Sequence, residues 1–498
     1  MKRILLFILC VQGLSGVQGL SGVQGLLNAQ NSYDMRKVRF DQTESIVLGI
    51  ERLGEYVPLL KGKRVAIVVN QTSVFPIKDT GNALALDNLR MPRNRQKPET
   101  HREPPSALPA ERAATHREPH AAPPLSRTAP SQEPPFARAA IPQEPPAERT
   151  APPQALPHTV NSGFSGAGTH LADTLLSLKI DVRKIFSPEH GFRGSNEAGA
   201  KVENSTDLST GLPIISLYGN NKKPTPSSLK DIDVVLFDLQ DVGVRFYTYI
   251  STLQYVLEAC AEAKIPVIIL DRPNPNGHYI DGCVLDTSLR SFVGMQPIPI
   301  VHGMTIGEYA RMITGEKWIK GEVDLTVISM IKYNRNRAYP LAVAPSPNLS
   351  TISAIMYYPT LCLFEGTAVS VGRGTQYPFM CYGFPKCPVG EFDFTPVALK
   401  GISENPPYKD IQCSGFFLGN ITRKWHNIQL ERLIKMYNSY PRKDKFFTPF
   451  FDKLAGTKTL QQQIKQGKTA EEIRASWQED IENFKKIRAK YLLYDDIR

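Results

Sequence analysis

An acid, an imidazole and a guanidinium fall within five positions at Glu189, His190 and Arg193, inside the octapeptide SPEHGFRG at 187–194. A run from Val182 to Phe186, apolar apart from Arg183 and Lys184, leads into them. That pattern predicts a buried strand ending in a turn, with polar groups displayed at its C-terminal end. A second cluster, DLQDVGVRFYTY at 238–249, carries Asp238, Asp241, Arg245 and Tyr247 after another apolar run. A third places Glu365 before Gly366 at the end of an apolar stretch, followed by Arg373 between two glycines. His302 precedes Gly303 at the end of a further run, and Asp271 and Asn274 stand in LDRPNPN at 270–276. Acids, an arginine and tyrosines grouped in this way suit hydrogen bonding and stacking of a sugar-like ligand. Paired carboxylates suit glycoside hydrolysis, where one protonates the leaving oxygen and the other attacks the sugar or activates water. Each cluster taken singly also fits an ordinary capped turn, and His302 a structural histidine.

Other chemistries lack their residues. No Gly-x-Gly-x-x-Gly follows the first strand, and neither a Walker loop nor a Gly-x-Ser-x-Gly elbow occurs. His, Cys and acid spacings for zinc are missing, so neither metal nor cofactor is expected. The net charge of +11 fits anionic envelope polymers or an acidic substrate. It does not point to nucleic acid, because no basic run with interleaved aromatics accompanies it.

The elements that must position these groups follow from the apolar periodicity. Runs at 65–69, 182–186, 213–217, 234–238 and 266–270 read as buried strands, each ending in a polar loop punctuated by glycine or proline. Helices are predicted over 169–178, with Thr169 as N-cap, and over 250–263. This is the α/β rhythm of a Rossmann-like, doubly wound parallel sheet, with a ligand cleft along the C-terminal edge of its strands. Beyond 290 the rhythm changes. Strands are expected at 297–301 and 325–330, and Trp477, Ile481, Phe484, Ile487 and Tyr491 form one apolar helical stripe.

A chain of 498 residues implies two domains. The expected division is a leader at 1–29, a Rossmann-like domain at 30–290 and a smaller α+β domain at 291–498. The first domain is interrupted at 83–165 by a proline-rich insertion, with 17 prolines between Met91 and His158 and no apolar period, which reads as disordered decoration. Lys2 and Arg3 before the apolar residues 4–11 resemble a secretory leader, and 27–29 a cleavage site. Export to a bacterial periplasm is the expectation, with lipid anchoring at Cys10 the lesser alternative. Glycines and glutamines make the leader too polar for a membrane span. The six remaining cysteines permit disulfides, Cys381 with Cys387 being nearest, or buried thiols.

Several long motifs occur in one order: SPEHGFRG at 187–194, SLYGNNKKPTP at 216–226, DLQDVGVRFYTYISTL at 238–253, LDRPNPN at 270–276, PIPIVHGMTIGE at 297–308, PSPNLST at 345–351, LFEGTAVSVGRGT at 363–375 and YLLY at 491–494. Together they resemble the exo-β-N-acetylmuramidase family (NamZ/YbbC-like), over 44–82 and 166–498. The resemblance implies a Rossmann-like domain, a smaller C-terminal domain and an active site between them. It also implies metal-free release of N-acetylmuramic acid from the non-reducing ends of peptidoglycan fragments. Carried over position by position, it makes Glu189 the general acid/base and Glu365 the second carboxylate. His190, Asp238, Asp241, Arg245, Tyr247, Asp271, Asn274 and His302 would line the sugar site. Arg245 or Arg373, with Arg193 behind, would bind the lactyl carboxylate. The alternatives are a non-catalytic muramyl-sugar-binding protein and a hydrolase acting on N-acetylglucosaminides.

Overall fold

Continuous apolar runs bury both faces of a strand, and successive side chains enter different cores. Ala66, Val68, Val235, Phe237, Val267 and Ile269 point into one core. Val65, Ile67, Val69, Val234, Leu236, Ile268 and Leu270 point into the other. A computed structural model describes residues 46–77, 167–192, 204–336, 339–421 and 424–497. The leader, the proline-rich insertion and Arg193 lie outside the described residues.

The main sheet has seven strands: β1 (Val65–Val69), β2 (Val182–Ser187), β3 (Ser205–Thr206), β4 (Pro213–Ser216), β5 (Val234–Asp238), β6 (Val267–Leu270) and β7 (Leu325–Ile328). Their order across the sheet is β3-β4-β2-β1-β5-β6-β7. Only β3 runs antiparallel to its neighbour. Without that short edge strand, the parallel strands stand third, second, first, fourth, fifth, sixth, the doubly wound order. The chain first builds outward from β1 through β2 and β4, then returns to lay β5 on the other side of β1. Loops at the C-terminal ends of β2 and β5 therefore flank a crevice above β1.

Between β1 and β2, Val74–Pro76 pairs antiparallel with Ala167–His170, which sets Pro76 beside Ala167. The helix that follows, Leu171–Ser177, is capped by His170, whose Nδ1 accepts from the Ala172 N–H, rather than by the expected Thr169. Thr169 lies within the preceding strand. The longest helix among the described residues, Tyr249–Ala263, is buried along most of its length.

The boundary expected at 290 cuts through this architecture, because β7 is the outer strand of the same parallel sheet and the helix Ile306–Gly315 leads into it. Residues 297–301 form no strand. Val301 alone makes bridges, to Val244 and Asp281. The C-terminal part contains the helix Ile352–Leu361 and a three-stranded antiparallel sheet with Cys413–Phe417 between Cys381–Phe384 and Phe392–Phe394. Short helices close the chain, and Leu433, Phe451, Ile473, Trp477, Ile481 and Phe484 join the same core as Val235 and Phe237. Residues 46–77 and 167–497 thus belong to one compact unit. The six cysteines in it are buried thiols, so the expected alternative of a Cys381–Cys387 disulfide does not hold.

Candidate active site

The turn after β2 carries the first acid. Gly191 N–H donates to the Pro188 carbonyl at 3.1 Å, closing a turn with His190 at φ +74° and Gly191 at φ +77°. A left-handed conformation is uncommon for a non-glycine residue and, in histidine, is tolerated where surrounding structure holds it. The turn aims Glu189 and His190 into a cavity of about 550 Å³, within the size range of small-molecule sites. Both side chains are buried at its inner wall. Thr248, from the loop after β5, donates its hydroxyl to Glu189 Oε2 at 2.7 Å.

A second group of lining residues comes from the C-terminal part. After the helix Ile352–Leu361, a single 3-10 turn at Cys362–Gly366 presents Glu365. Gly366 is required there, because a Cβ at this position would lie 2.4 Å from the Phe451 Cα of the helix Phe450–Ala455. Glu365 Oε1 accepts from Arg373 Nε at 2.6 Å, and Cys362 Sγ lies 3.4 Å from Oε2. The Arg373 guanidinium sits over the Phe379 ring, 5.0 Å from its centroid. Burial, reinforced by the Glu365 charge, pushes the Cys362 thiol well above its ordinary range, so it enters the site as a neutral donor.

The floor is aromatic. Tyr358 packs edge-to-face with Phe246, Tyr247 and Phe379. The Tyr247 hydroxyl donates to the Pro345 carbonyl at 2.9 Å, and burial pushes this phenol far above its usual range. It is thereby a hydrogen-bonding wall rather than a proton carrier at neutral pH. Tyr218, Lys222 and Phe292 form another part of the lining, with Ser346, Ser403 and Asn405 adding polar groups.

Five of the expected residues therefore meet at one cavity: Glu189, His190, Tyr247, Glu365 and Arg373. Six others do not line it, and each is occupied elsewhere. Asp238 is fully buried in an ion pair with Arg272, with Nε to Oδ1 at 2.6 Å and Nη2 to Oδ2 at 2.8 Å. Asp241 caps its own turn through the Gly243 N–H, and burial pushes its carboxyl up to about 7. Arg245 spends its guanidinium on four backbone carbonyls, those of Cys283, Ile298, Leu454 and Ala455. That makes it a strut between the two parts of the chain instead of a lactyl-carboxylate ligand.

Asp271 accepts from Thr305, Gly307 and Tyr494, tying the chain's end to the helix Ile306–Gly315. Burial raises its carboxyl to about 6. The Asn274 amide bonds the Met304 carbonyl and the Asn276 N–H. His302 is fully buried near Arg488, Arg245 and Arg335, and burial followed by those charges pushes it down to about 3, so it stays neutral. Reading these six as sugar contacts is corrected on these grounds.

The cavity also holds residues that the motifs did not single out. Thr248 and Tyr218 lie inside the quoted motifs, with no role assigned to either from the sequence. Tyr358, Cys362 and Phe379 sit in apolar runs whose composition reads as ordinary core. Among the described residues no group of His, Cys, Asp and Glu has a metal-holding arrangement.

Two carboxylates facing one polar and aromatic cavity, at the C-terminal edge of a doubly wound sheet, are the parts of a glycosidase. Comparison with known proteins makes the class particular. Residues 158–353 match the family model for the exo-β-N-acetylmuramidase NamZ N-terminal region, and 356–494 match the NamZ C-terminal model. The peptidoglycan β-N-acetylmuramidase NamZ of Bacillus subtilis (strain 168) is 40% identical over 334 residues, which cover 63% of this chain and 80% of that protein. The chain belongs to the NamZ exo-β-N-acetylmuramidase family and is a peptidoglycan glycosidase.

A crystal structure of a DUF1343 family protein (BF0379) from Bacteroides fragilis NCTC 9343 superposes with a TM-score of 0.67 at 36% identity, covering 91% of this chain and all of that one. A second DUF1343 family protein (BF0371) from the same strain, at 24% identity and a TM-score of 0.61, shares the fold, with 90% of this chain and 99% of that one covered. The two family models meet at 353–356, in keeping with a first region that extends through β7.

Proposed function

We propose that this glycosidase releases N-acetylmuramic acid from the non-reducing end of peptidoglycan fragments, with Glu189 as general acid/base and Glu365 as the second carboxylate. The observation that carries the reading is the placement of both acids on one cavity, supplied by two different parts of the chain. Glu189 protonates the glycosidic oxygen as the bond to the leaving sugar breaks. Glu365, ion-paired with Arg373, supplies negative charge to the developing oxocarbenium ion or delivers the nucleophile. With Arg245 committed to backbone carbonyls, Arg373 is, among the described residues, the guanidinium at the cavity suited to the lactyl carboxylate, an interaction that bidentate geometry strengthens. Tyr247, Tyr358 and Phe379 offer aromatic surface to the apolar faces of the pyranose.

A role in cell-wall turnover, in the envelope to which the N-terminal leader would direct the chain, follows from that substrate. The test compares a chromogenic N-acetylmuramoside with the matching N-acetylglucosaminide. The muramoside is expected to be hydrolysed and the glucosaminide spared. Glu189→Gln is expected to abolish turnover while the melting temperature is kept; full activity in that variant would remove Glu189 from the mechanism.

A further inference from the structure

The helix Tyr249–Ala263 begins with a threonine whose side chain does not cap it. Thr248 occupies the N-cap position, where a threonine hydroxyl ordinarily accepts from the N–H two or three residues on. Here no such bond is made. The hydroxyl instead donates to Glu189 Oε2 at 2.7 Å, across 59 residues of sequence. Among the described residues, the other threonines at a helix N-cap behave differently. Thr225, Thr305, Thr351 and Thr469 each accept from the N–H three residues on. A side chain that gives up its own helix to bond a carboxylate in a cavity is a local rule broken at a site.

The donor is also held rigidly. Its neighbours Tyr247 and Tyr249 both donate to the Pro345 carbonyl, at 2.9 and 3.2 Å. Tyr249 in turn accepts from Asn70 Nδ2 at 2.7 Å, at the end of β1. Thr248 and Glu189 stand on the loops after β5 and β2, the two strands that flank β1, so their bond spans the crevice where the strand order reverses. A carboxyl on a turn can rotate about its last bond; a hydroxyl anchored from the other side of the crevice stops it.

We infer that Thr248 is a positioning residue for the reaction, fixing the rotamer and carboxyl plane of Glu189 so that proton transfer to the glycosidic oxygen occurs in line. The inference rests on the role proposed for Glu189. It acts on the chemical step and not on sugar binding. Misplacing a reacting group by about 1 Å costs on the order of 10²-fold in rate.

The experiment measures kcat and KM on a chromogenic N-acetylmuramoside for wild type, Thr248→Val, Thr248→Ser, Glu189→Gln and the Thr248→Val/Glu189→Gln double variant, each with its melting temperature. Valine keeps the volume and removes the donor. The expected result is a fall in kcat of roughly 10²-fold for Thr248→Val with KM within about twofold, and recovery of most of it in Thr248→Ser. The melting temperature falls by no more than a few degrees, because one hydrogen bond but no helix cap is lost. The double variant is no slower than Glu189→Gln alone. Wild-type kcat in Thr248→Val, or a loss that serine does not restore, overturns the inference. So does a loss that tracks a lowered melting temperature in both Thr248 variants. If Glu189→Gln is itself fully active, the reading of the site fails first; if it is dead while Thr248→Val is unimpaired, only the role of Thr248 falls.

Discussion

Arg373 Nε lies 2.6 Å from Glu365 Oε1, and this single contact sets the electrostatics of one side of the cavity. The guanidinium spends its Nε edge on the acid and stacks its face over Phe379. No Nη bond occurs among the described residues, which leaves the forked end for a ligand. A carboxylate held in this way stays in one orientation while remaining at the cavity surface, since Glu365 and Arg373 are about one-fifth exposed.

The pair separates two roles that kinetics can resolve. Arg373→Lys keeps a charge but loses the planar fork, so substrate binding through the lactyl carboxylate weakens. KM for a muramoside is expected to rise by roughly tenfold or more, the worth of one charge-assisted hydrogen bond. Glu365→Gln is expected to lower kcat by ~10²–10⁴, the range of a lost acid or base. Steady-state kinetics on both variants checks the split, and an unchanged kcat in Glu365→Gln would exclude the residue from the chemistry.

Asp238→Asn tests the reassignment of that acid to the scaffold. Removing one charge from a buried pair strands the other, at a cost of about 3–5 kcal/mol. Arg272 is 3% exposed and Asp238 0%, so solvent cannot compensate. Denaturant unfolding of the variant should show that loss, with KM of the folded fraction unchanged. A raised KM at full stability would return Asp238 to the sugar site.

Asp241 makes stability depend on pH near neutrality. Burial raises its carboxyl from the ordinary 3.8 to about 7 in the folded protein. Between those values the unfolded chain releases a proton that the folded chain still holds, so rising pH favours unfolding. The contribution is intact below about 4, declines through the window and levels off above 7 at a cost on the order of a few kcal/mol. Asp241→Asn removes the titration. Its stability relative to wild type should rise between pH 4 and pH 8, as read from denaturant midpoints; a pH-independent difference would contradict the assignment.

Arg245 should matter to folding more than to binding. Its four backbone acceptors include the last carbonyls of the helix Phe450–Ala455, and Gly456 follows at φ +77°. A Cβ on Gly456 would fall 2.4 Å from Arg245 Nη2. Arg245→Met leaves these carbonyls unpaired, each worth about 1–3 kcal/mol if buried without a partner. A large drop in melting temperature is expected, shared by Gly456→Ala, with the KM of surviving enzyme near wild type.

Much of this architecture is legible along the chain. Val65–Val69 and, up to its closing acid, Val234–Asp238 announce themselves by unbroken apolar residues, because a strand covered on both faces admits little else. Val182–Ser187 is interrupted by Arg183 and Lys184 and shows its buried character only at Val182, Ile185 and Phe186. The polar turns after them, and the motifs that mark the family, are equally local. The site is less so. Glu189, Asp238 and Asp241 have the same local signature, an acid at or just beyond a strand's end, yet one faces the cavity, one is locked to Arg272 and one is sealed beneath its own turn.

The difference lies in partners remote in sequence. Arg272 comes 34 positions after Asp238, and the four carbonyls that claim Arg245 come 38, 53, 209 and 210 positions after it. Thr248 carries an N-cap signature and is diverted by an acid 59 positions earlier. Backbone preference and side-chain periodicity act over a few residues and so write strands, turns and family membership into the order of amino acids. Whether a charged group meets a ligand or a buried counter-ion depends on which segments pack above it, and for these acids that was settled only when β2, β5 and the C-terminal helices closed around one crevice.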